Sequence, residues 1–206
     1  MRNILILIMM FGLFALAAGD DTEGEEVKKD VPKERYVQIL METTMGNIVL
    51  ELDQEKAPIT VANFLSYVEK KAYDGTIFHR VIPDFMAQGG GFAADMKKVP
   101  TDEPIQNEWK NGLKNGRGTI AMARLGGQPH SATNQFFINV KDNIFLDKPS
   151  DGAGYAVFGK VVEGMEIVDK IVKVETVQKD NPLEPIIITK VTVKISEKKT
   201  DENKTE

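Results

Sequence analysis

The chain has 206 residues, 42% of them hydrophobic and 28% charged, which is the composition of one globular domain rather than of a disordered or membrane protein. Its net charge of -5 and pI of about 5.3, with no basic cluster, argue against nucleic acid binding. Because it has no cysteine and only two histidines, the sequence excludes disulfides and argues against a His/Cys zinc site.

The first residues have the layout of a secretory signal peptide. Arg2 is the only charge in this stretch, and an apolar run over 4–17 ends in the small-residue pattern ALA at 15–17. The run is shorter than the roughly 20 apolar residues that a membrane span needs. We therefore expect cleavage, a mature protein that begins near Ala18 or Asp20, and no stable membrane span after processing.

Shifts in composition divide the rest of the chain. The residues after the signal are dense in Asp, Glu and Lys, which is typical of a solvated linker, and the last ten residues include no apolar one. We predict a signal peptide at 1–19, a charged linker at 20–34, one folded domain at 35–196 and a disordered tail at 197–206.

Within the domain, the spacing of apolar residues predicts eight strands and two helices. The strands are predicted at 36–41, 47–52, 77–81, 85–88, 118–123, 135–140, 156–161 and 186–195, and the helices at 58–71 and 162–172. Because strands and helices do not alternate, the pattern favours a mainly β fold with an antiparallel sheet closed into a barrel. The stretch 89–115 has no clear periodicity and is predicted to be a long loop.

Two of the predicted strands have unusual faces. In the sixth, one face is apolar, whereas the other combines Phe137 with Gln135 and Asn139. In the third, Phe78 and Arg80 share a face. Apolar and hydrogen-bonding groups on one face are typical of a ligand groove. The alternative interpretation is a set of scattered exposed apolar residues, which are common on protein surfaces.

Five motifs, occurring in order, resemble the signature of the cyclophilins. They are FHRVIPDFMAQGG at 78–90, GTIAMAR at 118–124, SATNQFFIN at 131–139, FLD at 145–147 and VFGKV at 157–161. The match covers about 37–195, nearly the whole domain, and is most similar to the bacterial, periplasmic branch. The resemblance implies a closed eight-stranded antiparallel β-barrel capped by two α-helices, with an active groove on its outer surface. It also implies a peptidyl-prolyl cis-trans isomerase that needs no metal and no cofactor.

The resemblance further implies the residues of the site. Arg80 is expected to donate a hydrogen bond to the prolyl nitrogen of an X-Pro bond when that bond twists. Catalysis is assigned to Arg80, Gln88 and Phe137. Substrate binding is assigned to Phe85, Met86, Ala123, Gln135, Phe145, Leu146, Tyr155 and, with a smaller role, His79.

Three positions depart from the pattern of many eukaryotic members. Phe145 replaces a Trp, which should weaken cyclosporin binding without abolishing isomerase activity. Tyr155 lies where many members have His, after a slightly longer loop. Arg124 replaces a common Asn, and we expect little effect because the family contact there is mainly through the backbone.

The expected partners are proline-containing peptides and exported proteins that are unfolded or folding. The enzyme is expected to be monomeric and to lie in the periplasm. A non-catalytic proline-binding or chaperone module on the same scaffold is the main alternative. A Ser-His-Asp hydrolase is a distant third, because no Ser lies in a Gly-x-Ser-x-Gly turn.

Overall fold

The computed structural model describes residues 35–194. The predicted signal peptide, linker and tail lie outside the described residues. The strands are β1 (Tyr36–Thr43), β2 (Gly46–Asp53), β3 (Thr76–Ile82), β4 (Met86–Ala93), β5 (Thr119–Met122), β6 (Phe136–Asn139), β7 (Val157–Glu163), β8 (Thr176–Val177), β9 (Asn181–Pro182) and β10 (Ile187–Lys194). The helices are α1 (Pro58–Glu69) and α2 (Met165–Ile171), with short 3-10 turns at Ile144–Leu146 and Gln178–Asp180.

Eight of the strands close into one antiparallel barrel in the order β1-β10-β3-β4-β6-β5-β7-β2. This confirms the predicted eight-stranded barrel with two helices. Strands β8 and β9 form a separate two-stranded sheet that the sequence pattern does not predict. Within residues 35–194, no helix is long and apolar enough to cross a lipid bilayer.

The barrel and both helices share one hydrophobic core. Helix α1 begins at Pro58 and buries Phe64 and Tyr67, while α2 buries Val168 and Ile171 in the same core. The Phe64 ring packs against rings from outside α1 at centroid distances of 4.9 to 5.8 Å, and such contacts add to the free energy of burial. The core fixes which face of each strand points outward, and so it positions the groove described below.

The predicted facing of strand β3 is wrong. Phe78 pairs with Gly89 and Arg80 pairs with Gln88, so β3 has one extra residue, His79, opposite consecutive residues of β4. This bulge breaks the alternation of side chains. As a result Phe78 is fully buried in the core, whereas Arg80 lies half-exposed on the outside of the barrel.

The predicted loop at 89–115 is wrong in its first residues, because β4 continues to Ala93. Three consecutive glycines have no side chains to alternate, which hides the strand from the pattern. Gly90 has a φ of +84°, and a Cβ there would lie 2.9 Å from the rings of both Tyr73 and Phe136. Glycine is therefore required at this position by backbone conformation and by packing.

Asn139 lies on the same face of β6 as Phe137, as predicted, but it does not line the groove. It is fully buried, and its side-chain amide donates to Thr119 Oγ1 at 2.9 Å and to Asn115 Oδ1 at 3.2 Å. Its own Oδ1 accepts from Asn143 at 2.7 Å. Asn139 is thus part of a buried polar network rather than of the groove.

Candidate active site

A cavity of about 160 Å³ lies on the outside of the barrel. It is lined by Arg80, Phe85, Met86, Gln88, Ala123, Arg124, Phe137, Leu146 and Tyr155. Eight of these nine residues are predicted from the sequence as site residues, and Arg124 is the one that is not. We call the part formed by Phe85, Met86, Phe137 and Leu146 the apolar slot.

The strand pairing places the three predicted catalytic residues in one row. Arg80 on β3 is opposite Gln88 on β4, and Gln88 is opposite Phe137 on β6. Residues directly opposite each other on neighbouring strands point to the same face of a sheet. The charged, amide and aromatic side chains therefore lie side by side across three hydrogen-bonded strands.

Arg80 has one acidic partner that the motifs do not include. Its Nε donates to Asp180 Oδ2 at 3.2 Å, and Asp180 lies in the turn between β8 and β9. The Arg80 side chain is 42% exposed. A charged group with multiple donors therefore stands at the edge of the apolar slot, in contact with solvent.

A second, larger cavity of about 510 Å³ adjoins the first and shares Gln88, Ala123 and Arg124 with it. Gln135 lines this cavity and not the apolar slot. Gln88 Nε2 donates to Gln135 Oε1 at 2.9 Å, so the two amides form a link between the cavities. These polar groups are suited to hold the backbone of an extended ligand.

The apolar slot is supported from below by a turn with a polar anchor. The 3-10 turn Ile144–Leu146 supplies Leu146 to the slot, and Asn143, which precedes it, donates to the Phe85 carbonyl at 2.9 Å. After the turn, Asp147 Oδ1 accepts from the backbone N of Asn115 at 2.9 Å. Both flanks of the turn are thus hydrogen-bonded to the segments that lead into β4 and β5, which holds Leu146 in place.

Phe145 lies at the rim rather than inside the cavity. It is 58% exposed, and its ring stacks on that of Phe85 with centroids 5.7 Å apart. The rim is thus an aromatic surface without a hydrogen-bond donor, where a Trp would carry an indole N–H.

Arg124 has a larger structural role than the sequence indicates. Its side chain is only 1% exposed and forms a bidentate ion pair with Asp151 at 2.7 and 2.8 Å, and it also donates to the carbonyl of Ala153. The guanidinium lies 4.5 Å from the ring centroid of Tyr155, which meets Phe137 edge to face at 5.6 Å. Arg124 therefore joins the loop after residue 150 to the wall of the slot.

The charge of Arg124 also acts on its partner. The pKa of Asp151 is well below its usual range. The main cause is the set of hydrogen bonds from the Arg124 side chain, and the backbone N–H of Gly127 makes a smaller contribution. The ion pair stays charged at neutral pH. Sequence reasoning missed Asp151 because its partner lies 27 residues away and no local pattern joins them.

His79 lines neither cavity, although its ring lies next to Gln135, which lines the larger one. Its ring is buried and lies 4.6 Å from that of Phe92, and its Nδ1 has no hydrogen-bond partner among residues 35–194. Burial lowers the pKa of His79 to about 4, so the ring is neutral at pH 7. Its position does not support the predicted contact with a bound peptide.

No cluster of three or more His, Asp or Glu side chains within residues 35–194 is arranged to hold a metal ion. What the site offers is a fixed positive charge, two linked amides and an apolar slot. These groups can bind a chain with one apolar ring and stabilise a change in hydrogen bonding at an atom next to that ring.

The family model described as "Cyclophilin type peptidyl-prolyl cis-trans isomerase/CLD" matches residues 36–193. Peptidyl-prolyl cis-trans isomerase A of Dickeya dadantii is 56% identical over 154 residues, covering 73% of this chain and 80% of the relative. Isomerase B of Escherichia coli is 53% identical over 162 residues, covering 75% and 98%.

Among solved structures, the chain is similar to a cyclophilin-type peptidyl-prolyl cis-trans isomerase of Cryptosporidium parvum, crystallised in the presence of the dipeptide Ala-Pro. The TM-score is 0.68 at 26% identity, and the match covers 77% of this chain and 99% of that one. The family match, the bacterial relatives and the shared barrel agree with the motifs. The chain therefore belongs to the cyclophilin-type peptidyl-prolyl cis-trans isomerases, in their bacterial branch.

Proposed function

We propose that this isomerase binds the proline ring of a peptide in the apolar slot and uses Arg80 to stabilise the twisted X-Pro bond, acting on exported proteins during their folding. The observation that carries the mechanism is the row of Arg80, Gln88 and Phe137 across β3, β4 and β6. It sets a guanidinium and an aromatic ring of the slot on the same face of the sheet, with Gln88 between them.

The reaction needs no bond to be broken. Rotation about a peptide bond has a barrier of about 18–20 kcal/mol because conjugation is lost at the twisted state. Uncatalysed X-Pro exchange therefore takes about 10–100 s. Catalysis requires a site that stabilises the twisted amide more than either planar form.

Arg80 is suited to that task. In the twisted state the prolyl nitrogen becomes pyramidal, and its lone pair can accept a hydrogen bond from a guanidinium N–H. A hydrogen bond to a charged group contributes about 1.5–3 kcal/mol, which corresponds to a rate factor of roughly 10 to 100. The rest of the acceleration comes from holding the ring still while the other side of the bond turns.

The apolar slot and the paired amides contact different parts of the ligand. Phe137 and Leu146 are almost fully buried and present a firm apolar wall to the pyrrolidine ring. Gln88 and Gln135 hold the carbonyl and the flanking peptide. The Cryptosporidium relative, crystallised in the presence of Ala-Pro, supports a proline-containing ligand for this groove.

The mechanism is tested by Arg80→Ala, with Arg117→Ala as the matched control. The Arg117 side chain is 46% exposed, close to the 42% of Arg80, and it pairs with Asp169 away from the groove. We expect Arg80→Ala to lower kcat/KM for a short Ala-Pro peptide about 10- to 100-fold, and Arg117→Ala to leave it unchanged.

NMR exchange spectroscopy on the same peptide separates catalysis from binding alone. Peptide that binds without faster exchange in the wild-type protein would support the non-catalytic module. Full activity in Arg80→Ala, with an intact fold, would refute the proposed mechanism.

The proposed setting is the bacterial periplasm. It rests on the secretory pattern of residues 1–19, which lie outside the described residues, and on the bacterial relatives. N-terminal sequencing of exported protein should find a chain that begins near Ala18 or Asp20. A cytosolic form that retains Met1 would contradict this proposal.

We propose two further properties. The protein acts as a monomer, because the closed barrel leaves no strand edge of the eight-stranded sheet unpaired, and light scattering measures the oligomeric state directly.

Cyclosporin binds weakly, because Phe145 offers no indole N–H at the rim. Phe145→Trp should tighten cyclosporin binding and leave kcat unchanged, and equal affinity in both proteins would contradict this account.

A further inference from the structure

We propose that Asp180 is a positioning residue that orients the Arg80 guanidinium for catalysis. The proposal rests on the role given to Arg80 above. Asp180 belongs to none of the five motifs and lies 100 residues along the chain from Arg80. The two meet because the small β8–β9 sheet packs against β3.

The hydrogen bond between the two residues leaves the reactive part of the guanidinium free. Asp180 Oδ2 accepts from Arg80 Nε at 3.2 Å. Within residues 35–194, the two terminal nitrogens of Arg80 have no hydrogen-bond partner. Asp180 therefore holds the guanidinium by its inner nitrogen and leaves the outer N–H groups available to a prolyl nitrogen.

Stability of the fold does not account for this pair. The side chains of Arg80 and Asp180 are 42% and 46% exposed, and ion pairs with this exposure contribute little to folding. An arginine side chain has many rotamers, however, and a carboxylate that selects one of them reduces the entropy lost when the twisted amide forms. The pair therefore affects the rate more than the stability.

The backbone of the turn is consistent with a positioning role. Lys179 and Asp180 have φ values of +64° and +60°, in the left-handed region that non-glycine residues rarely adopt. Asp is one of the few residues that tolerate this region. The turn thus keeps a carboxylate facing Arg80 in a conformation that a glycine would adopt more easily.

The test compares Asp180→Asn and Asp180→Gly. Both residues accept a positive φ, so the turn can stay as it is. Asn keeps an oxygen that can accept from Nε but loses the charge, whereas Gly removes the contact. Glu184→Gln is the control, because it changes the net charge by the same amount at an exposed residue of the same segment.

We expect kcat for a short Ala-Pro peptide to fall about tenfold in Asp180→Gly and about two- to threefold in Asp180→Asn, with KM unchanged in both. Partial rescue by Asn, together with a change in kcat alone, distinguishes positioning from a loosened fold. Glu184→Gln should have wild-type kcat and KM. The urea midpoint of each variant shows that it is folded, and Asp180→Asn is sufficient if Asp180→Gly does not fold.

Arg80→Ala, measured in parallel, distinguishes this proposal from the mechanism on which it rests. If Arg80→Ala shows the expected loss of about 10- to 100-fold and both Asp180 variants have wild-type kcat, the positioning role is refuted and the role of Arg80 stands. If Arg80→Ala is fully active, the mechanism itself is refuted. A rise in KM with unchanged kcat would also refute the positioning role, because it would indicate a contact with substrate.

Discussion

Stability of this enzyme should depend on pH through His79. The buried ring has a pKa of about 4, because desolvation disfavours the charged imidazolium and the nearby charge of Arg80 adds to the effect. In the unfolded chain the same ring titrates at its ordinary value of 6.5. As the pH falls below 6.5, the unfolded state binds a proton that the folded state does not, so the free energy of unfolding decreases.

The magnitude follows from the separation of the two pKa values. Each unit of difference corresponds to 1.36 kcal/mol, so the loss is about 2 kcal/mol at about pH 5 and about 3 kcal/mol at about pH 4. Several aspartates, Asp53 and Asp169 among them, have a pKa below 3.8, and the stability they contribute is lost only at lower pH. Those aspartates therefore contribute little to the change in stability above about pH 5.

Urea denaturation at about pH 7.5 and about pH 5 measures this effect. Wild type should lose about 2 kcal/mol between the two conditions, whereas His79→Gln, which cannot titrate, should lose almost nothing. His130→Asn, which removes the other, exposed histidine, should behave as wild type. The reasoning is refuted if wild type is equally stable at both values, or if His79→Gln shows the same loss.

Two further predictions concern the walls of the groove. Asp151→Ala should lower the urea midpoint more than Asp169→Ala, and equal midpoints would contradict this. The Arg124 side chain that loses its partner in Asp151→Ala is 1% exposed, whereas the Arg117 side chain paired with Asp169 is 46% exposed. Gly91→Ala should raise KM for an Ala-Pro peptide about two- to tenfold, because the new Cβ would lie 2.5 Å from Gln135 Cγ and displace that side chain. An unchanged KM would show that the displaced side chain does not bind substrate.

The barrel could be predicted because most of its strands alternate clearly in the sequence. The alternation is lost at a run of glycines and at a β-bulge. The glycines of β4 have no side chains to alternate, and His79 adds one residue to β3 without a partner opposite. Strands β8 and β9 have two residues each, too few for any pattern to show. Local geometry of this kind depends on the neighbouring strand, which a single segment of sequence does not reveal.

The site divides in the same way. Residues that lie within a motif, such as Arg80, Phe85 and Phe137, line the cavity where the resemblance puts them. The partners that orient those residues are distant in sequence, and no spacing rule connects them. Asp180 and Asp151 reach their arginines only because the fold brings remote turns next to β3 and next to the end of β5.

The row of residues across β3, β4 and β6 also matters for how this enzyme folds. Arg80 and Gln88 come from the β3–β4 hairpin, whereas Phe137 comes from a distant part of the chain and joins them only when β6 pairs with β4. A polypeptide that has formed isolated hairpins therefore has no working groove. Regain of catalytic rate during refolding should therefore accompany the pairing of β6 with β4, as part of the cooperative folding of the barrel.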